Sequence, residues 1–275
     1  MTGLEFAGVA LALGVAAGVA AHLVSAARFR AQAARLASAI AEGPAASAAD
    51  PPDAPRRFAL GNIRGDRGPF RAIRIVQDAD FRRAETWGPM PAVQHICLGA
   101  PGFVWNARAP GPGLLPGLPM FTVIDAHVGG RGLLRANALG SIPVARAEGA
   151  VLDRSEAMRY LAELPWAPDA ILGNPDIAWR ETGAAEVEAR IETPSGPAAV
   201  RLAFDGAGDI VGMTALRPDT GPGGAEIARE WRGVFTDYGW LGERRIPTRG
   251  EVGYVEDGVF RPYWRGRVTS LELLR

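Results

Sequence analysis

Residues 185–216 read AEVEARIETPSGPAAVRLAFDGAGDIVGMTAL. Apolar and polar side chains alternate through 185–192, 198–204 and 210–216, which is the two-residue period of a β-strand with one buried face. Short turns that contain glycine separate the three runs. This stretch therefore predicts a three-stranded antiparallel meander, and it indicates the fold class of the chain.

The same alternation continues on both sides of the meander. A second hairpin is predicted from Glu251–Val255 and Val259–Val268. One helix is predicted over Arg154–Leu164, with Asp153 as its N-cap and Pro165 at its end. Further strands are predicted at 70–77, 81–87, 92–98, 102–108, 120–128, 176–181 and 229–236.

The order of these elements predicts the architecture. Strands and helices do not alternate as they would in a parallel sheet, so an antiparallel sheet is expected. We predict a mainly β (α+β) fold, in which a large curved antiparallel sheet or half-barrel carries one or two helices on its concave side. Residues 56–275 form this single soluble domain, and an N-terminal transmembrane helix precedes it.

The segment Phe6–Ala27 has 22 residues and no charged side chain. A helix of this length is about 33 Å long, which is enough to cross a hydrocarbon core of about 30 Å. We predict a single-pass membrane helix in contact with membrane lipid. A cleaved signal peptide and a buried core helix are the alternatives. A signal peptide requires a basic segment before its apolar region, and no Arg or Lys precedes Phe6.

Residues beside and within this segment predict its orientation and a partner. Arg28, Arg30 and Arg35 follow it, and the positive-inside rule then places the soluble domain in the cytoplasm. A periplasmic location stays open. Gly14 and Gly18 form a GxxxG pattern, through which two copies of the helix can approach each other as a homodimer.

Residues 28–55 are predicted to connect the membrane helix to the domain. The helix continues as an amphipathic stalk, because four apolar side chains share one of its faces: Phe29, Ala33, Leu36 and Ile40. Residues 43–55 then read GPAASAADPPDAP, a composition that is typical of an extended and poorly ordered linker.

The composition excludes several classes of function. The formal net charge is 0, so the basic excess of a nucleic-acid-binding protein is missing. All 30 basic residues are Arg, which excludes Schiff-base chemistry and a P-loop lysine. Cys97 is the only cysteine, so neither an internal disulfide nor a cysteine cluster can form. We predict no cofactor.

Four side chains have the residue types of a metal site. His95 and Cys97 lie two residues apart on one predicted strand, and Asp125 and His127 do so on another. Residues at i and i+2 share a face of a strand. If the two strands are neighbours and their faces agree, the four side chains can bind a borderline metal such as zinc. A hydrolase that uses this set, or buried carboxylates, is the alternative functional hypothesis.

Aromatic side chains are spread through the predicted domain. On the inner face of a curved sheet they fill the core or line an apolar cavity. Seven are candidates for lining a cavity: Trp87, Phe103, Trp105, Trp166, Trp179, Trp231 and Trp264. The resulting functional prediction is a membrane-anchored β-domain that binds an apolar or amphiphilic, lipid-like ligand. A protein-interaction scaffold with an exposed apolar patch is a further alternative.

Four segments resemble an uncharacterised bacterial family of membrane-anchored proteins, and they are PGFVWNAR at 101–108, residues 125–132, RYLAELPWAP at 159–168 and RIPTRGE at 245–251. The resemblance covers most of residues 60–270 and implies no assigned activity. At the position where that family often has Asp, this chain has Asn106. A looser similarity of fold is to the half-barrel carriers of lipoproteins and lipids, which are periplasmic.

Overall fold

The structure is a computed structural model that describes residues 3–111 and 117–275, and within these ranges it has one 14-stranded sheet and four α-helices. The predicted mainly β fold with an antiparallel sheet is confirmed. The helices are α1 (Gly3–Ala41), α2 (Asp53–Gly61), α3 (Ala150–Ala162) and α4 (Pro168–Gly173). The strands are β1 (Ala72–Arg83), β2 (Thr86–Pro89), β3 (Ala92–Cys97), β4 (Phe103–Ala109), β5 (Phe121–Val128), β6 (Arg131–Ala138), β7 (Ile142–Ala147), β8 (Ala178–Gly183), β9 (Glu186–Thr193), β10 (Gly196–Phe204), β11 (Ile210–Thr220), β12 (Glu226–Leu241), β13 (Arg244–Glu256) and β14 (Val259–Leu274).

The sheet consists of two meanders joined at its centre. The spatial order of the strands is β7-β6-β5-β4-β3-β1-β14-β13-β12-β11-β10-β9-β8, and β2 pairs with β1 as a short hairpin. The two meanders meet where the first strand pairs with the last, with Ala72 opposite Leu274 and Phe81 opposite Trp264. Every strand pair is antiparallel.

Helix α3 shows that the sheet is strongly curved. It contacts β5 and β6 of one meander and β9, β10 and β11 of the other. In the strand order, β6 is second and β10 is eleventh. At about 4.8 Å per strand they would lie about 43 Å apart in a flat sheet, far more than the width of a helix, about 10–12 Å. The sheet therefore wraps around α3 as an open half-barrel.

The two faces of the sheet have different partners. We call the face that carries Ile73 and Ile75 the inner face, because these side chains share the main core with Tyr160 and Leu161 of α3. The opposite, outer face is covered by the second half of α1. Three side chains of α1 pack there against five of the sheet, and they are Phe29, Ala33 and Ile40 against Ala72, Cys97, Val104, Ile124 and Ala126.

The predicted stalk is therefore helical but does not stand free of the domain. Its apolar face lies on the sheet, which the sequence pattern could not indicate. Residues 43–55 likewise do not form a detached linker. The backbone N–H groups of Ala46, Ser47 and Ala49 donate hydrogen bonds of 2.8–2.9 Å to the carbonyls of Phe70, Gly173 and Leu172, and Asp53 already begins α2.

Between Leu11 and Val24, most of α1 is exposed. Among the described residues, one helix is long and apolar enough to cross a membrane, with a candidate span of Leu11–Ala41 and a mean hydropathy of 1.5. Its apolar side chains from Leu11 to Val24 project away from the domain. Where the helix reaches the domain, His22 Nδ1 lies 2.5 Å from Ser141 Oγ, and Ser25 Oγ donates to the Ser141 carbonyl at 2.8 Å.

Asp153 does not cap α3, contrary to the prediction. The helix begins one turn earlier, at Ala150, with Gly149 in the cap position. The Asp153 carboxylate instead accepts hydrogen bonds from the Gly132 backbone N–H at 2.8 Å, from Ser195 Oγ at 2.6 Å and from Arg131 at 3.1 Å. It thus connects α3 to the start of β6 and to the β9–β10 turn.

Candidate functional site

A cavity of about 330 Å³ lies between α3 and the inner face of the sheet. Both meanders line it, because β1 and β4–β6 contribute on one side and β11–β14 on the other. A groove of about 690 Å³ crosses the outer face at β1, β13 and β14. Its exposed side chains include paired charges such as Arg265 and Asp80, 3.0 Å apart. We place the candidate site in the cavity under α3, where buried polar groups converge.

Four of the seven predicted aromatic side chains line the cavity, namely Trp105, Trp166, Trp231 and Trp264. The other three lie elsewhere. Phe103 is buried in the core, and the Arg159 guanidinium lies 4.8 Å from its ring centre. Trp87 is on β2, under Arg265, and Trp179 is on β8 at the edge of the sheet.

Glycine in the middle of the sheet makes room for the cavity wall. A Cβ atom at Gly250 would lie 3.0 Å from the Trp166 ring, closer than side chains usually pack, so this close approach favours glycine. Trp166 Nε1 donates to the Pro247 carbonyl at 2.9 Å. Its ring meets Phe235 and Trp264 edge-on, with centroids 5.7 and 5.9 Å apart. These contacts fix three aromatic rings of the wall in one packed group.

A polar network crosses the first side of the cavity. Arg159 donates to Glu163 at 2.8 Å and forms a second ion pair with Asp125. Gln94 donates to the same Glu163 carboxylate. The network continues outward, because Trp105 Nε1 donates to Gln77 at 2.8 Å and Gln77 donates to Gln94 at 3.2 Å. The Arg159 guanidinium is therefore held between two carboxylates.

A second network occupies the other side. Arg217 from β11 donates to Glu156 at 2.8 Å, to Ser155 at 2.7 Å and to the Tyr263 hydroxyl at 3.2 Å. The Arg217 guanidinium also lies 4.4 Å from the centre of the Trp231 ring, and Trp231 Nε1 donates to Tyr263 at 3.0 Å. The charge of this guanidinium is likewise paired within the protein.

The buried Glu156 carboxyl group favours its protonated form. Burial raises the pKa of its carboxyl group to about 8, and the negative charge of Asp125 adds to this, against the opposing effect of Arg217 and Arg159. Asp125 Oδ1 and Glu156 Oε2 are buried and have no hydrogen-bond partner. A proton on Glu156 leaves two carboxylates, Asp125 and Glu163, to balance the two arginines.

The four predicted metal ligands do not converge on one ion. β4 lies between their two strands, and its neighbouring residues point to opposite faces. Asp125 is opposite Trp105 on the inner face together with His127, whereas His95 and Cys97 lie on the outer face, with Cys97 under α1. No group of three metal-ligating side chains occurs within the residues that the structure describes. Burial also lowers the pKa of His127, to about 4.

Comparison with known proteins places the chain in a family. The sequence profile of a family of unknown function, DUF6544, matches residues 44–266. The chain is a member of the DUF6544 family. Among curated proteins, none matches the sequence. The family match begins at residue 44, so it includes the segment that lies along the domain before α2.

Three solved structures are similar to this DUF6544 protein, and each aligns with 80% of it. A DUF1329 family protein from Desulfovibrio piger has a TM-score of 0.44 and 6% identity over 92% of its own chain. A LolA superfamily protein from Nitrosomonas europaea has 0.41 and 9% over 91%. A putative outer membrane lipoprotein-sorting protein domain from Vibrio parahaemolyticus has 0.43 and 8% over 90%. At these identities the likeness concerns the fold alone.

The buried charges of this DUF6544 protein were missed by sequence reasoning. Glu156, Arg159 and Glu163 are spaced by three and four residues, so they share one face of α3. Such a face is normally exposed to solvent. The sequence could have indicated that this face of α3 is buried, because the residues on the other sides of the helix do not form a second, continuous charged face. Ser155, Ala157 and Met158 on the remaining sides are also buried.

Proposed function

We propose that this chain is a membrane-anchored binding protein that holds an apolar or amphiphilic, lipid-like ligand in the cavity under α3. The cavity is the observation that carries the proposal. Its volume of about 330 Å³ lies within the usual range for small-molecule sites, about 300–1,000 Å³. Its wall combines aromatic rings with a few buried polar groups, which is the composition of a ligand site.

The exposed half of α1 supports the membrane anchor. Leu13, Val19 and Leu23 are each more than half exposed, although the second half of the same helix is packed on the sheet. Continuous apolar surface on one long helix is stable in a hydrocarbon environment and unfavourable in water. Gly14 and Gly18 lie in this half with open space around them, where a second copy can pack in the bilayer.

One side of the cavity lies on the meander that contacts this anchor. The Ser141 contact with α1 is next to the end of β6, because the Ser141 N–H donates to the Ala138 carbonyl at 3.1 Å. Asp125 and Leu134, which line the cavity, pair with each other four residues from that end. Four residues of strand measure about 13 Å. The wall of the cavity therefore comes within about 13 Å, measured along β6, of the contact between the anchor and the domain.

The experiment measures binding of radiolabelled twelve-carbon amphiphiles to the full chain by equilibrium dialysis, in a fluorinated surfactant that does not mix with hydrocarbon. The panel contains monolaurin, laurate and dodecylamine. Val252→Phe fills the cavity from β13, and Val234→Phe is the matched control, because Val234 lies on the outer face of the neighbouring strand.

We expect saturable binding of at least one amphiphile, weakened about tenfold or more by Val252→Phe and unchanged by Val234→Phe. Absence of saturable binding for the whole panel would refute the proposed function. Equal binding by the wild-type chain and Val252→Phe would place the ligand outside the cavity and would refute it as well.

A further inference from the structure

Three buried polar atoms of the cavity wall have no hydrogen-bond partner in the described part of the chain, and they are Trp264 Nε1, Asp125 Oδ1 and Glu156 Oε2. Trp264 is only 8% exposed, so its indole N–H cannot be satisfied at the surface. A buried donor without an acceptor costs about 1–3 kcal/mol. The cavity thus presents one free donor, and two carboxyl oxygens that belong to groups sharing the Glu156 proton and that keep lone pairs for a ligand donor.

The charges around the cavity decide which ligand these atoms suit. Arg159 is held by Asp125 and Glu163, and Arg217 is held by Glu156, Ser155 and Tyr263. Both guanidinium groups are therefore occupied, and neither offers a free cation to a carboxylate or phosphate. Asp219 from β11 also lines the cavity, and Arg229 pairs with it at 3.2 Å. Because Asp125 and Glu163 balance the two arginines, an anionic headgroup would bring an uncompensated charge into a low-dielectric site.

A cationic headgroup fits less well than a neutral one. An amine can donate to the oxygens of Asp125 and Glu156, but it leaves the Trp264 N–H without an acceptor. A neutral group that has a carbonyl oxygen next to an O–H or N–H satisfies both kinds of free atom. Monoacylglycerols and fatty amides have this pair of groups at the end of an acyl chain.

We propose, building on the proposed function, that the cavity selects neutral amphiphiles in which a carbonyl lies beside a hydroxyl or amide N–H, and discriminates against free fatty acids. The ligand carbonyl accepts from Trp264 Nε1. The ligand hydroxyl or amide N–H donates to Asp125 Oδ1 or Glu156 Oε2. The acyl chain lies among Trp166, Trp231 and the other rings of the wall.

The first test ranks headgroups on the unaltered full chain, with monolaurin, laurate and 1-dodecanol as probes of equal chain length. We expect monolaurin to bind about tenfold or more tightly than laurate. Dodecanol has no carbonyl and should bind more weakly than monolaurin. Laurate binding as tightly as monolaurin would overturn the inference while leaving the proposed function intact, whereas no binding of any probe would remove both.

The second test removes the free donor with Trp264→Phe. Trp179→Phe is the matched control, because Trp179 Nε1 is also buried without a partner but lies outside the cavity wall. We expect Trp264→Phe to weaken monolaurin about tenfold and dodecanol much less, which corresponds to the loss of one hydrogen bond, about 1.4 kcal/mol. Trp179→Phe should change neither. An equal loss for both probes would show that Trp264 acts by packing alone and would overturn the assignment.

Discussion

At the scale of single residues, the proton on Glu156 has a measurable effect on stability. The pKa of this carboxyl group is raised in the folded chain to about 8, above the ordinary value of 4.5. Between these two values the folded chain holds a proton that the unfolded chain has released. The free energy of unfolding must therefore fall as the pH rises through this window.

We expect Glu156→Gln to remove this dependence, because glutamine does not titrate and its amide can still donate to Asp125. The free energy of unfolding of the wild-type chain, relative to the variant, should decrease from about pH 5 to about pH 8, by at most about 1.4 kcal/mol per pH unit for one proton. Chemical denaturation followed by tryptophan fluorescence measures this difference. Both proteins have the same histidines, so the contributions of the histidines cancel in the difference. The exposed Glu272→Gln serves as control. A difference that does not vary with pH would show that Glu156 is ionised in the fold.

Asp169 and Arg244 form a buried ion pair that has a structural role. The fully buried guanidinium makes two hydrogen bonds of 2.7 Å to Asp169 and also donates to the carbonyls of Arg64 and Asp66. Asp169→Asn leaves that buried charge with only the half-exposed Glu243 carboxylate, 4.0 Å away, so we expect a loss of about 3 kcal/mol in unfolding free energy. Asp237→Asn breaks the exposed pair with Arg249 and should cost less than about 1 kcal/mol. Similar losses for the two variants would contradict this account.

At the scale of elements, sequence alternation identified the strands best where each has one buried and one exposed face. The meander at 185–216 and the hairpin at 251–268 appear in the structure, whereas β6 and β7 were not predicted. In β6, Gly132, Arg135 and Asn137 interrupt the apolar pattern, and β7 is an exposed edge strand. The apolar face of the stalk was identified, but its partner on the outer face was not, because amphipathicity shows that a face is buried and not what covers it.

The docking of α1 on the outer face can be tested through Cys97. This thiol is 3% exposed beneath α1, and burial raises its pKa. Phe29→Ala removes a large side chain from that contact and should cost on the order of 3 kcal/mol. We expect Cys97 to react with a maleimide at least tenfold faster in the variant. Leu13→Ala, in the exposed half of the helix, should leave the rate unchanged. Equal rates in all three proteins would show that α1 does not shield the thiol.

At the scale of the whole molecule, the decisive features are pairings between distant residues. Ala72 pairs with Leu274, and Asp125 reaches Arg159 of α3, so contacts that build the cavity join parts far apart in the chain. Periodicity gives the buried face of each strand but not the neighbour of that strand. For this reason the half-barrel could be predicted in outline, and four of seven aromatic candidates line the cavity, while the two charged networks could not be foreseen.

The position of α3 across the open side of the half-barrel rests on the Asp153 carboxylate. Its partners belong to both meanders, because Gly132 is on β6 and Ser195 is in the β9–β10 turn. A Cβ atom at Gly132 would lie 2.5 Å from the Leu152 carbonyl oxygen, so the helix approaches the strand closely. Losing this carboxylate should therefore loosen the closure of the whole sheet around the helix rather than one turn.

We expect Asp153→Ala to lower the unfolding free energy by about 2–4 kcal/mol, since two donors lose their acceptor in a buried site. Backbone amides of α3 should exchange with deuterium faster than in the wild-type chain, and bound monolaurin should dissociate faster because the helix forms one wall of the cavity. Asp205→Ala is the control, because Asp205 accepts only from Ala207 and Asp209 within its own exposed turn, and its effect should stay local. If the amides of α3 keep their protection in Asp153→Ala while the global stability falls, the helix is held in place by the aromatic wall, and closure of the half-barrel does not depend on this carboxylate.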